Sequence, residues 1–346
     1  MGDARSSPDD ANPTNRRRVG RGAKTTAHRA VPHNAILKRT PFTVDNLPMS
    51  TDWNHRLSDR LLANVATGGG WGYRSSGSAY AEPTALALLA LSAGHAGGGE
   101  CVAACDWLAR IQRTDGSVPV SGEIPSPGWA TALSVLAWRR TSENSSDTHQ
   151  PNIDRAVRWL LAQEGRPLPS NPTVFGHDTT LLGWPWVEGT HTWAEPTAYA
   201  VLALRTLGFA DHARVREGIR VLLDRALPSG GWNYGNTRVF QNVLRPFPAT
   251  TGVVLASLAG EPRDSRIDAA IAYLRETLPR VRAPLSLGWG LLGLSAWDAR
   301  PTESQTWLEE AADHALKREA DPMSDALLLL AEAGALLSVT SSGTHG

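Results

Sequence analysis

The chain reads as an all-α protein, an (α/α)6 toroid in which an outer ring of helices surrounds an inner ring. Three observations predict it. Amphipathic helical stretches alternate with stretches of Ala and Leu that have no charged face. The alternation recurs six times. Most pairs are joined by a loop that carries Gly and Trp. A helix apolar all round is buried on all sides, so the second member of each pair belongs inside and the first, with one wet face, outside. Runs of alternating β-branched residues are missing, so strands should be few. The pair-to-pair period runs from roughly 35 to 65 residues, too uneven for an open superhelical repeat and better suited to a closed ring.

The elements follow in order. Asn54 to Ala66, the loop Gly68 to Tyr73 and Glu82 to Leu91 make the first pair. Cys101 to Gln112, Asp115-Gly-Ser117 and Gly128 to Trp138 make the second. In the third, Ile153, Ala156, Val157, Leu160 and Leu161 form one apolar stripe with Asp154, Arg155 and Arg158 outside it. The loop Trp184 to Trp186 and the apolar run Glu195 to Leu207 complete that pair. The fourth is His212 to Ala226, Gly230 to Tyr234, then Pro248 to Leu258. The fifth is Arg266 to Leu278, then Ser286 to Trp297, and the sixth Glu303 to Lys317, then Pro322 to Leu337 without a Gly/Trp loop. Pro83, Pro196 and Pro248 suit a first helical turn, where the missing N–H costs nothing.

These elements assign residues 51–340 to one toroid domain. Residues 1–50 form a basic tail with nine Lys/Arg against four Asp/Glu, too polar to bury a core and expected to be disordered. The whole chain balances 34 basic against 34 acidic residues, so charge gives no case for nucleic acid. No apolar run approaches the ~20 residues that span a bilayer. Cys101 and Cys105 are the only cysteines, at helical i, i+4 spacing, and no third and fourth ligand accompanies them. No disulfide framework, metal or other cofactor is expected, and the default compartment is the cytoplasm, with peripheral contact to a membrane left open.

Gly69-Gly-Trp-Gly-Tyr73, Gly230-Gly-Trp-Asn-Tyr234 and Gln112-Arg-Thr-Asp-Gly-Ser117 resemble degenerate copies of the glutamine–tryptophan repeat of squalene–hopene and oxidosqualene cyclases. The inner-helix starts Ala81-Glu-Pro-Thr-Ala85, Ala130-Thr-Ala132, Ala194-Glu-Pro-Thr-Ala198 and Ala249-Thr-Thr251 are similar to those of the cyclases and of protein prenyltransferase β-subunits. The resemblance, to the terpenoid cyclase and protein prenyltransferase superfamily, covers residues ~54–338. It implies the toroid fold and a central cavity for an isoprenoid-type hydrophobic molecule. The superfamily's chemical signatures are missing. An Asp-x-Asp-Asp acid motif is absent; His177-Asp178, Asp224 and the pair Asp321 and Asp325 lack its spacing. The prenyltransferase zinc ligands are absent from the inner helices, and so is the Gly-Cys-Gly-Glu-Gln thioester of complement-like toroids.

In such a ring the loops before the inner helices gather at one rim. Glu82 and Glu195, in equivalent places before Pro83 and Pro196, are candidates for acid and base, or for helix caps. His191 and the pair His177-Asp178 are further proton-transfer candidates. Trp129, Trp186, Trp193, Tyr199, Phe247 and Trp289 would line an aromatic cavity for a greasy or cationic ligand, together with Tyr73, Tyr80 and Tyr234. Arg245 would hold an anionic head such as diphosphate. Trp71 and Trp232 read instead as pins between loop and helix. The expected function is binding or transformation of an isoprenoid-type molecule. The alternative is an interaction scaffold that kept the fold without the chemistry, and a partner protein is open in either case.

Overall fold

The computed structural model describes residues 52–94, 96–142 and 148–334. The expected tail and the stretch 335–340 at the end of the expected domain lie outside them. Twelve α-helices fill the described residues: α1 (Asp52–Ala63), α2 (Ala81–Ala93), α3 (Gly98–Ile111), α4 (Thr131–Ser142), α5 (Gln150–Ala162), α6 (Ala194–Thr206), α7 (Ala213–Asp224), α8 (Pro248–Ser257), α9 (Ser265–Thr277), α10 (Pro284–Ser295), α11 (Ser304–Leu316) and α12 (Pro322–Ala333). Between α7 and α8 a short hairpin pairs β1 (Arg238–Val239) with β2 (Asn242–Val243). None of the described helices is long and apolar enough to cross a membrane.

The even-numbered helices form a closed ring. Each packs on the next, α2 on α4, α4 on α6, α6 on α8, α8 on α10 and α10 on α12, and α12 returns to α2. This is the (α/α)6 toroid. Most residues of α2, α6 and α10 are buried, whereas α1, α5 and α9 bury one stripe. The chain order outer–loop–inner is as expected, but the packing is offset. Most outer helices lie chiefly on the inner helix that precedes them: α3 on α2, α5 on α4, α7 on α6 and α9 on α8. The helix α1, which has no predecessor, packs on α12 and so seals the ring. The tightest joint is α8 against α10. A Cβ on Gly252 would stand 2.0 Å from the Trp289 carbonyl, and one on Gly293 would stand 2.6 Å from the Gly252 Cα. Only glycines let these backbones approach so closely.

The inner-helix starts are tied to the neighbouring loops along one rim: the Ala81 N–H donates to the Val120 carbonyl and the Ala194 N–H to that of Tyr234. A repeated device fixes the loops there. The Trp71 indole N–H donates to the Leu61 carbonyl, that of Trp184 to Leu160 and that of Trp232 to Leu222, each closing the last turn of an outer helix. The backbone N–H of each of these tryptophans donates to a threonine hydroxyl of the following inner helix, Thr84, Thr197 or Thr251, at 2.8–2.9 Å. In the second repeat Val118 replaces the tryptophan and Thr131 accepts its N–H. Gly69, Gly116 and Gly230, all at positive φ, lay their backbone on a carbonyl of the next outer helix; a Cβ would fall 2.3–2.6 Å from it. Gln112 ties the second loop to α5 by donating to the Asn152 carbonyl and accepting from Asn152 and Arg155. In the third repeat a longer loop is held by Arg214, which donates to the carbonyls of Gln163, Leu182 and Gly183 and lies 3.7 Å over the Trp184 ring. Trp71 and Trp232 are the pins that their loops suggest.

Candidate functional site

Glu82 and Glu195 share the rim, within one electrostatic field. Each is the second residue of its helix, but neither caps it: the caps are Tyr80 and Trp193, and no side chain satisfies the first turn of either helix. The carboxyl groups point to other partners. The Tyr73 hydroxyl donates to Glu82 Oε2 at 2.6 Å, and the Thr250 hydroxyl donates to Glu195 Oε1 at 2.5 Å. Burial pushes both acids above the usual carboxylate range, against the lowering effect of those hydroxyls. The charge of Glu195 raises Glu82 further. Buried Tyr199 lies within the field of both acids, which reinforce the effect of its burial and hold its phenol protonated.

An aromatic chain links the start of α4 with α6 and α10. Trp129 meets Trp186 edge-on at 4.8 Å and stacks on Tyr199 at 6.4 Å, and Tyr199 lies 5.7 Å from Trp289. Tyr199 and Trp289 are 4% and 1% exposed, so they fill the shaft they were expected to line. Beside Trp129, Trp186 and Trp184 the remaining void is about 10 Å³, the room of a single water. Exposed aromatic side chains gather at the mouth. Tyr73 stands 5.1 Å from Tyr80, and Tyr234 stands 5.0 Å from Phe247. Tyr73, Tyr234, Phe247 and Leu285 are 39%, 53%, 41% and 44% exposed.

The other expected site residues fall elsewhere. Asp178 sits in the long loop before α6, where its Oδ1 accepts from the Thr180 N–H and hydroxyl; these bonds lower its pKa. Its N–H donates to Asp224. His191 is exposed, with its ring 6.4 Å from that of Trp193. His191 and Trp193 line a separate cavity that also takes in His177 and Arg225, and Asp178 lines the cleft beside it. Burial and the Arg225 charge push the His177 imidazole down to about 4, so it is neutral at neutral pH. Arg245 is exposed, and its carbonyl accepts from Asn233 at 3.4 Å. The structure thus divides one expected cluster in two. Thr250 and Arg225 were not singled out by sequence reasoning. Thr250 carried a signal, the Ala249-Thr-Thr251 helix start; Arg225, a charge at a helix end, carried none.

Among the described residues no group of three or more His, Cys, Asp and Glu is placed to hold a metal ion. Cys101 and Cys105 are free thiols on α3. Burial lifts them to about 12 and about 11.

No family model matches the sequence, and no curated protein matches it. Solved structures do. The chain is similar to an α-amylase from Clostridium perfringens over 83% of its own length and 99% of that chain, with a TM-score of 0.59 at 10% identity. A glycosidase matches over 82% and 97%, with a TM-score of 0.53 at 12% identity. A type II terpene cyclase from Scytonema, in complex with geranylgeranyl dihydroxybenzoate, matches over 78% and 79%, with a TM-score of 0.50 at 12% identity. At such identities the likeness concerns the fold and not the chemistry. The chain is an α/α toroid. That fold, expected from the Gly/Trp loops, is shared with both the terpene cyclase and the glycosidase.

Proposed function

We propose that this toroid binds an isoprenoid-type hydrophobic molecule across its rim and presents Glu82 and Glu195 to it as neutral acids. The observation that carries the reading is the pairing of two carboxyl groups, whose pKa burial raises, with a mouth of exposed aromatic and aliphatic side chains. A neutral carboxylic acid buried beside apolar surface is a proton donor to an alkene, and ring faces such as Tyr73 and Tyr234 attract the cation that forms. In that step Glu82 or Glu195 gives its proton to a carbon, and the carboxylate left behind takes one back when a new double bond closes the reaction. With Tyr199 and Trp289 filling the shaft, the ligand lies across the mouth rather than down the axis. A cytoplasmic location accompanies this reading.

The filled shaft also favours a second reading, a scaffold whose rim takes a partner protein. Native mass spectrometry with polyprenyl diphosphates and simple polyprenols separates the two. One retained ligand per chain, lost on joint substitution of the exposed Tyr234→Ala and Phe247→Ala, supports the first. A protein indifferent to every such ligand overturns it and leaves the scaffold.

A further inference from the structure

The second cavity, away from the paired glutamates, has its own chemistry. The loop between α5 and α6 is tied down along its length. The Arg166 N–H donates to the Thr190 carbonyl and the Leu168 N–H to that of Thr179. Arg238 and Gln241, from the hairpin, donate to the carbonyls of Pro172 and Thr173, and Phe175 bridges to Val239. Between loop and hairpin lies a cavity of about 150 Å³ lined by Arg166, His177, His191, Trp193, Arg225 and Asn236, among others. It holds no carboxylate in its wall. Asp178 and Asp224 line the neighbouring open cleft instead.

Arg225 is the anchor. It is 5% exposed. Its Nη1 donates to the Gly235 carbonyl at 2.7 Å, and its Nη2 reaches the Asp178 carbonyl at 3.5 Å. Its Nε is fully buried with no hydrogen-bond partner, since the Asp224 carboxylate stands 3.6 Å away. The Asp224 carboxylate balances the charge of Arg225 as an ion pair, but a buried N–H without a hydrogen-bond acceptor remains unfavourable until one reaches it. Arg166 is exposed, and its side chain makes no hydrogen bond or ion pair among the described residues. The Thr237 N–H faces His177 Nδ1 at 3.4 Å, which leaves the proton on Nε2 as a donor. Two guanidinium groups, two imidazoles and Asn236 thus surround a space of about 150 Å³. That space admits a tetrahedral oxyanion with room for water beside it.

We propose that this cavity binds a phosphate-type oxyanion, either free or as the end of an ester. The inference does not rest on the isoprenoid reading of the rim, because Glu82, Tyr73 and Thr250 take no part in it. The test is calorimetric titration of the full chain with inorganic phosphate, phenyl phosphate and acetate, beside Arg166→Ala and Arg225→Lys. Arg166 is exposed, so its variant should keep the parent's circular dichroism and thermal midpoint. The expected result is saturable phosphate binding that weakens about tenfold or more in Arg166→Ala. Arg225→Lys, which keeps the charge but not the fork, weakens it as well. Phenyl phosphate binding as well as phosphate assigns the site to an ester end, and phosphate alone assigns it to the free anion. Absence of saturable binding, unchanged affinity in Arg166→Ala, or equal binding of acetate overturns the proposal.

Discussion

Replacing Thr251 by valine tests the device that holds the rim. Valine has nearly the same shape as threonine, so packing changes little, but the hydroxyl is lost. In the parent that hydroxyl accepts the Trp232 N–H at 2.9 Å and donates to the Trp232 carbonyl at 3.1 Å. The carbonyl keeps a second partner, the Phe247 N–H at 2.8 Å. The Trp232 N–H has no substitute, and water cannot reach it, since Trp232 and Thr251 are both 0% exposed. Leaving one buried donor unpaired costs about 1–3 kcal/mol. For a domain of this size that is a fall of roughly 2–12 °C in the unfolding midpoint. The assay is thermal and urea unfolding of Thr251→Val beside Thr251→Ser, which keeps the hydroxyl, and Thr302→Val, an exposed control. Thr84→Val and Thr197→Val should cost similar amounts, because their hydroxyls hold Trp71 and Trp184 in the same way. A Thr251→Val protein as stable as the Thr302→Val control would refute the clamp.

Glu82 and Glu195 bind a proton more tightly in the folded chain than in the unfolded one, so stability present at acid pH is lost as pH rises through their folded pKa. Glu82→Gln and Glu195→Gln remove that loss; each should gain stability over the parent near ~pH 8 and none below about pH 4, read from urea midpoints across pH. Gly230→Ala puts a side chain at φ +88° with its Cβ 2.4 Å from the Ala269 carbonyl. It should cost roughly 2–6 kcal/mol from strain and overpacking together, visible as a lowered urea midpoint with an unchanged slope. Cys101 and Cys105, lifted to about 12 and about 11, remain thiols at neutral pH and should alkylate slowly with iodoacetamide until denaturant is added. Rapid labelling of the native chain would contradict that burial.

Much of this architecture is local, and for that reason legible in the chain. The one-faced stripe of α5 and the unbroken apolar run of α2 specify outside and inside without knowledge of any neighbour. The Gly/Trp loops predict pins because a positive-φ glycine beside a large aromatic is a short-range requirement. The sequence by itself therefore determined the helices, their two layers and the rim that their N-termini share. It could not determine how the rim is used. Glu82 and Glu195 lie two repeats apart in the chain, and only closure of the ring brings them into one field. Their partners, Tyr73 and Thr250, decided that they do not cap their helices. Tyr199 and Trp289 turned from cavity walls into core because Tyr199, on α6, packs between Trp129 and Trp289 from other repeats. Arg166, His177 and Arg225 come from a loop and a helix end far apart in sequence, and folding alone buries the Arg225 cation beside two imidazoles. Burial and electrostatic environment are properties of the assembled neighbours, and no single segment encodes them.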